Sequence, residues 1–212
     1  MNNKKIHGLY AIADTSVISE QMLLQRTKAV LQGGARVVQY RDKQNSASQR
    51  LQQAQALRQL TAEYQAIFII NDDFHLAVEV GADGVHLGEE DGALVTARNY
   101  FRDNNQDQAL IGISCYNQLT LALAAEQEGA DYVAFGRCYS STTKPGDRYV
   151  TQAELVQARQ QLTIPMVAIG GITTTNTPEL IDAGVDSVAV IAALFDVEDS
   201  RQAAKEFCQL LG

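Results

Sequence analysis

The sequence lacks any apolar run approaching the roughly 18 residues that a membrane helix needs. It also lacks Pro-, Gly- or Ser-rich stretches and blocks of like charge that would mark a domain boundary, so residues 1–212 read as one domain. Positive charge is scarce: 17 Lys and Arg face 25 Asp and Glu, for a net charge of −8. A general nucleic-acid binder needs a basic stripe that displaces counterions from phosphate, so the net charge argues against that class. A few converging Arg and Lys residues can still make one cleft attractive to an anionic metabolite. Cysteine is sparse, and Cys115, Cys138 and Cys208 form neither an even set nor a C-x-x-C motif, which argues against a disulfide framework and a thiolate zinc site. Cys115 and Cys138 are expected to be buried, inert thiols.

What is present is an ordinary globular composition, 46% hydrophobic and 20% charged, able to bury a large core. The opening "MNNKKIHGLYAIAD" has two lysines but only a short apolar stretch ending at Asp14, so it reads as a first strand and not as a signal peptide. A cytoplasmic location, no membrane association and no nucleic-acid partner are the expectations. The sequence is compatible with a homo-oligomer.

Four segments resemble one another: "QGGARVVQYRDK", "EVGADGVHLGEE", "QEGADYVAFGRC" and "DAGVDSVAVIAA". Each has a Gly able to end a helix in the left-handed conformation, then Ala or Val, a polar residue and a Val-rich strand. Their glycines, Gly34, Gly81, Gly129 and Gly184, stand about two strand-helix units apart, as if every second unit carried the signature. Hydrophobic runs bounded by turn residues predict strands over 6–13, 36–40, 66–70, 84–87, 109–113, 132–135, 165–169 and 187–191. Helical composition fills gaps at 21–31, 47–63, 119–128, 152–161 and 201–211. Alternating strands and helices require parallel pairing and right-handed crossovers, and eight repeats in this length favour a closed α/β (β/α)8 TIM barrel. An open doubly wound sheet is the alternative, weakened because no G-x-G-x-x-G follows the first strand.

In such a barrel the chemistry sits at the C-terminal ends of the strands. Gln39, Arg41 and Lys43 alternate along one extended segment, offering a donor fork and a point charge for phosphate oxygens; the alternative is a rim salt-bridged to Asp42. Asp72 and Asp91 follow adjacent strands and supply the oxygens a hard cation such as magnesium prefers, unless they merely cap helices. Asp73 reads as a cap. The polar loop "SSTTKPGD", with Ser140, Ser141, Thr142, Thr143 and Lys144, resembles an oxyanion cradle. Gly170 and Gly171 in "AIGGITTTN" permit close backbone approach to a phosphate or else a simple tight turn, and Ala192 is placed to open a short extra helix. His86 reads as a satisfied core histidine more readily than as a base, and His7 and His75 carry less weight. No Ser, His and Asp grouping or Cys-His pair is evident from spacing, so the chemistry should rest on electrostatics more than on a protein nucleophile.

The pieces "GLYAIAD", "VVQYRDK", "FIINDD", "ADGVHLGEED", "IGISC", "ADYVAFGRCYSSTTKP", "VAIGGI" and "DSVAVIAAL", in this order, resemble the thiamine phosphate synthase family over nearly the whole chain. The resemblance implies a transferase of thiamine biosynthesis. It would join 4-amino-2-methyl-5-hydroxymethylpyrimidine diphosphate to 4-methyl-5-(2-hydroxyethyl)thiazole phosphate, releasing diphosphate and making thiamine phosphate. It further implies that Gln39, Arg41, Lys43, Asn71, Ser114 and Lys144 hold the pyrimidine diphosphate. Asp72 and Asp91 would hold Mg2+, and Ser141, Thr142, Thr143, Gly171, Ile191 and Ala192 the thiazole phosphate. Arg41, Lys43 and Lys144 would then stabilise the departing diphosphate. Ala192 departs from the family pattern, which often has Ser there, so a hydroxyl contact is missing; Ser141 stands where Thr is frequent. A thiazole tautomerase-like relative, a barrel enzyme acting on sugar phosphates and a catalytically silent sensor of a phosphorylated metabolite are the rivals.

Overall fold

The computed structural model describes residues 5–88, 94–139 and 149–212. Eight parallel strands close into a barrel in chain order. They are β1 (Gly8–Asp14), β2 (Val37–Arg41), β3 (Ile67–Asn71), β4 (Gly84–Leu87), β5 (Leu110–Tyr116), β6 (Tyr132–Gly136), β7 (Met166–Ile169) and β8 (Ser187–Val190). Closure is completed by the β1–β8 pairing, with Leu9 opposite Val188 and Ala11 opposite Val190. All eight predicted strands are found, and β5 runs beyond its predicted end through Ser114, Cys115 and Tyr116. Among the described residues no helix is long and apolar enough to cross a membrane.

Helices α1 (Leu23–Gln32), α2 (Ala47–Glu63), α3 (Phe74–Val80), α4 (Leu94–Asp103), α5 (Leu119–Gln127), α6 (Gln152–Gln161), α7 (Thr177–Asp182) and α9 (Ser200–Leu211) surround the barrel. A short α8 (Ala192–Phe195) follows β8, where Ala192 was expected to open a helix. The predicted helix over 21–31 is a 3-10 turn, Glu20–Met22, leading into α1. Capping explains several of the starts. Ser46 accepts from the Gln49 amide at α2 and Thr151 from the Glu154 amide at α6, and in both the third helical residue reaches back to the cap.

Strand alternation divides the apolar residues into two cores. Leu9, Val38, Phe68, Val85, Ile111, Val133, Met166 and Val188 face the helices. Tyr10, Ile12, Val37, Ile67, Ile69, Tyr132, Ala134, Val167 and Ala189 fill the barrel interior. Two inward positions are glycine because nothing larger fits. A Cβ at Gly112 would lie 2.0 Å from the Tyr132 ring, and one at Gly84 would lie 2.0 Å from the Leu110 carbonyl oxygen.

The repeated segments have a physical cause. Gly81, Gly129 and Gly184 take positive φ of 63°, 92° and 85° at helix ends. The next residue then returns its amide to the helix: Ala82 to Ala77, Ala130 to Ala125 and Val185 to Leu180. The Asp that follows links two elements each time. Asp83 Oδ2 accepts from the Phe68 amide, Asp131 Oδ2 from the Ile111 amide and Asp186 Oδ2 from the Met166 amide, each at 2.8 Å. The same oxygens pair with Arg58, Arg98 and Arg159 on the even-numbered helices α2, α4 and α6. A period of two strand-helix units is thus a repeated clamp between a helix and the start of the strand beside it.

Candidate functional site

A cavity of about 560 Å³ opens within the barrel. Its lining is set by the inward positions of the strands: Ile12 and Asp14 on β1, Gln39 and Arg41 on β2, Asn71 on β3, His86 on β4 and Ser114 on β5 are among them. Five of the candidate residues, Gln39, Arg41, Asn71, Ser114 and Ile191, therefore share one cavity despite wide separation in the chain. Gly171 and Ala192 are the chain neighbours of two lining residues, Gly170 and Ile191. Lys43 and Asp72 do not line it; they pair with each other, Nζ to Oδ2 at 3.1 Å. Asp91, Ser141, Thr142, Thr143 and Lys144 lie outside the described residues, as does Ser140.

Arg41 is held from below by β1. Its Nη1 donates to Asp14 Oδ2 at 2.5 Å, while Asp14 Oδ1 accepts from the Ser16 amide and hydroxyl at 2.9 and 2.6 Å. Asp14 is only 4% exposed. The rim salt bridge weighed for Arg41 and Lys43 with Asp42 is not formed. Asp42 is instead used by its own turn, accepting from the Gln44 and Asn45 amides, the Asn45 side chain and the Tyr40 hydroxyl. Burial alone would raise its pKa, but those four donors outweigh it and lower the carboxyl to about 2.

The end of β3 separates two adjacent carboxylates. Asp73 caps α3, its Oδ1 accepting from the Leu76 amide at 2.9 Å. Asp72 has a left-handed backbone, φ 66°, and its amide donates to the His86 carbonyl at 2.8 Å. This turn aims one Asp at the helix and the other at Lys43. The donor set suits a hard cation to the extent that Asp72 supplies carboxylate oxygen there; its partner in that role, Asp91, is not among the described residues.

Several lining residues had no clear sequence signal. Tyr10 and Tyr132 read only as apolar strand residues, and Arg137 follows β6 with φ 58°. His86 does point into the barrel and is satisfied, with Nδ1 3.2 Å from the Tyr132 hydroxyl and Nε2 2.9 Å from Ser114 Oγ. Arg137 was detectable only as a charge two residues beyond the predicted end of the sixth strand. Burial pushes the Cys115 and Cys138 thiols up to about 12, so neither is a nucleophile near neutral pH.

At the ends of β7 and β8 the backbone is brought close. Gly170 has φ 105°, and a Cβ there would lie 2.8 Å from the Arg137 Cα. Tyr139 donates its amide to the Gly170 carbonyl, and Asn176 Nδ2 donates to the Gly171 carbonyl, fixing both glycines between the β6 and β7 loops.

Residues 9–194 match the family model TMP-TENI, thiamine monophosphate synthase. The chain is 48% identical over 207 residues to the thiamine-phosphate synthase of Nitrosococcus oceani, covering 98% of this chain and 94% of the relative. It is 48% identical over 196 residues to that of Alcanivorax borkumensis, covering 92% and 88%. The solved thiamine phosphate pyrophosphorylase from Pyrococcus furiosus superposes with a TM-score of 0.86 at 35% identity, covering 96% of this chain and 95% of that one. With matches of this extent in both sequence and shape, the chain belongs to the thiamine monophosphate synthase family.

Proposed function

We propose that the chain joins 4-amino-2-methyl-5-hydroxymethylpyrimidine diphosphate to 4-methyl-5-(2-hydroxyethyl)thiazole phosphate, giving thiamine phosphate and diphosphate. The reading is supported by family membership and carried by one observation. A carbonyl-and-amide side chain, a guanidinium, a second amide and a hydroxyl (Gln39, Arg41, Asn71 and Ser114) converge on a single cavity at the C-terminal ends of their strands.

The pyrimidine ring would enter the apolar part of the cavity, bounded by Ile12, Ala134, Val167 and Ile169, with its diphosphate toward Arg41 and Asn71. Breaking the bond between the ring methylene and the diphosphate oxygen leaves the electron pair on that oxygen. Arg41, fixed by Asp14, meets this growing charge with a donor already in place, so it stabilises the transition state more than the ground state. Lys43 and Lys144 would add charge on the same side. Asp72 and Asp91 would hold Mg2+, which supplies further neutralisation of the leaving diphosphate when bound. The aminopyrimidine delocalises the methylene cation, and the thiazole nitrogen closes the new C–N bond with its own lone pair. No proton is removed, which agrees with a cavity that needs no catalytic triad. Gly171, Ile191 and Ala192, with Ser141, Thr142 and Thr143, would hold the thiazole phosphate and orient that nitrogen.

The test is to incubate purified protein with both phosphorylated precursors and magnesium and to assay thiamine phosphate. Product proportional to enzyme supports the reading; folded protein giving none rejects it. Omitting the metal tests the magnesium role separately.

A further inference from the structure

Among its described lining residues the cavity carries two permanent cations, and they stand on opposite walls. Arg41 ends β2 and Arg137 follows β6, four strands away around a closed ring of eight. The wall near Arg41 is polar, with Asp14, Gln39 and Asn71 also lining it. From β6 round to the end of β8 the lining consists of apolar side chains and glycine, except for Tyr132 and Arg137. Tyr132 opens β6 deep in the barrel, fully buried, with its hydroxyl 3.1 Å from that of Tyr10. Arg137 is thus the one charged group among the described lining residues of that wall.

The backbone holds Arg137 there at a cost. Its φ of 58° is left-handed, a conformation that suits glycine and strains a residue with a Cβ. Three hydrogen bonds keep it in place: the Arg137 carbonyl accepts from the Val150 amide at 3.0 Å, the Cys138 amide donates to the Ile169 carbonyl at 3.1 Å, and the Tyr139 amide donates to the Gly170 carbonyl at 3.0 Å. Gly170 completes the fit, since a Cβ there would lie 2.8 Å from the Arg137 Cα and 2.9 Å from its amide nitrogen. Strain of this kind persists where the surrounding structure over-determines it, and it clusters at ligand sites. The contact with Gly170 sets Arg137 beside the end of β7, where Gly171, Ile191 and Ala192 have no side-chain donor to offer a phosphate.

We propose that Arg137 is a phosphate-binding, specificity-determining residue: its guanidinium takes the phosphate of the second substrate and makes the cavity select a phosphorylated thiazole over the free alcohol. The inference rests on the proposed function for the identity of that substrate. A phosphate monoester presents several charged oxygens to a planar fork of donors, whereas the neutral alcohol presents no charge. Two anionic substrates would repel each other if their phosphates shared one wall. Cations on opposite walls draw the charged ends apart and leave the thiazole nitrogen turned toward the ring methylene between them.

The experiment compares wild type with Arg137→Gly, which removes the guanidinium and relieves the left-handed backbone. Binding of thiazole phosphate and of the thiazole alcohol is measured by calorimetry, with magnesium and inorganic diphosphate present to occupy the Arg41 side, and turnover is measured in parallel. Wild type should prefer the phosphate at least about 100-fold, and Arg137→Gly should reduce that ratio at least about tenfold. The KM for thiazole phosphate should rise by a similar factor while the KM for the pyrimidine diphosphate stays within about twofold, a split that general destabilisation would not give. Arg137→Lys keeps the charge without the fork and should fall between the two. Arg137→Asn, which also tolerates the left-handed backbone, serves as the second variant if Arg137→Gly does not fold, with the same expected loss. An unchanged ratio in a folded variant, or a wild type that binds the alcohol as tightly as the phosphate, overturns the proposal even if thiamine phosphate is made. A phosphate preference that collapses in the variant, in a chain that makes no product, upholds the proposal and rejects the synthase reading.

Discussion

Asp14 and Arg41 are register partners on β1 and β2, and their side chains meet at 2.5 Å inside the cavity. The cation proposed to meet the departing diphosphate is therefore already held by a buried carboxylate, which fixes its direction while tempering its charge. Asp14→Ala should leave the guanidinium and the Ser16 amide without their acceptor. A stability loss of about 2–3 kcal/mol is expected, below the range for fully buried pairs because the Arg41 side chain is 22% exposed. Asp14→Asn keeps acceptor oxygen and should lose less. Urea melts of the two variants, set beside kcat/KM for the pyrimidine diphosphate, check the order.

Asp72 and Asp73 are neighbours with opposite tasks. Asp73→Ala should cost about 1 kcal/mol through loss of the α3 cap, with activity nearly intact. Asp72→Asn, which tolerates the left-handed backbone and removes one charge, should leave the melting temperature almost unchanged and lower turnover at least about tenfold. Thermal melts and steady-state kinetics on both proteins decide it; matching effects would show that the pair has no division of labour.

Gly112 is a packing requirement. Gly112→Ala places a methyl group against the Tyr132 ring and should destabilise the barrel by about 1–3 kcal/mol. Calorimetric melting of the variant measures that loss.

Acid should weaken the fold partly through Asp42. Its folded pKa of about 2 lies below the 3.8 of an ordinary Asp carboxyl. Its contribution is therefore present above about pH 4 and fades as pH falls through the interval down to about 2. Glu126 shifts the same way: burial opposes it, but the Thr163 hydroxyl and the Thr163 and Ile164 amides prevail. Asp42→Asn should show a shallower fall in melting temperature between pH 4 and 2 than wild type. Equal slopes would remove Asp42 from the account.

The barrel was legible because strands buried on both faces read as short apolar runs, and because the repeat of Gly, Ala or Val, then Asp is a clamp built three times. What that repeat does was not legible, since Arg58, Arg98 and Arg159 lie far from their aspartates in sequence. At the site, Gln39, Arg41, Asn71 and Ser114 stood out as polar residues where strands end. Tyr10 and Tyr132 did not, because an inward tyrosine and a helix-facing one are the same letter in a Val- and Ile-rich strand. Asp14 was visible only as the end of the first apolar stretch; its partner is decided by β1–β2 register, which emerges only when the barrel closes.

The most direct measurement is the single-turnover rate of Arg41→Gln, which keeps a hydrogen-bonding partner for Asp14 but removes the cation proposed to face the leaving group. With saturating pyrimidine diphosphate and thiazole phosphate, the rate constant for thiamine phosphate formation should fall about 100-fold or more while the melting temperature changes little. A folded variant that turns over at the wild-type rate would contradict the assignment of this cavity as the place where the diphosphate leaves.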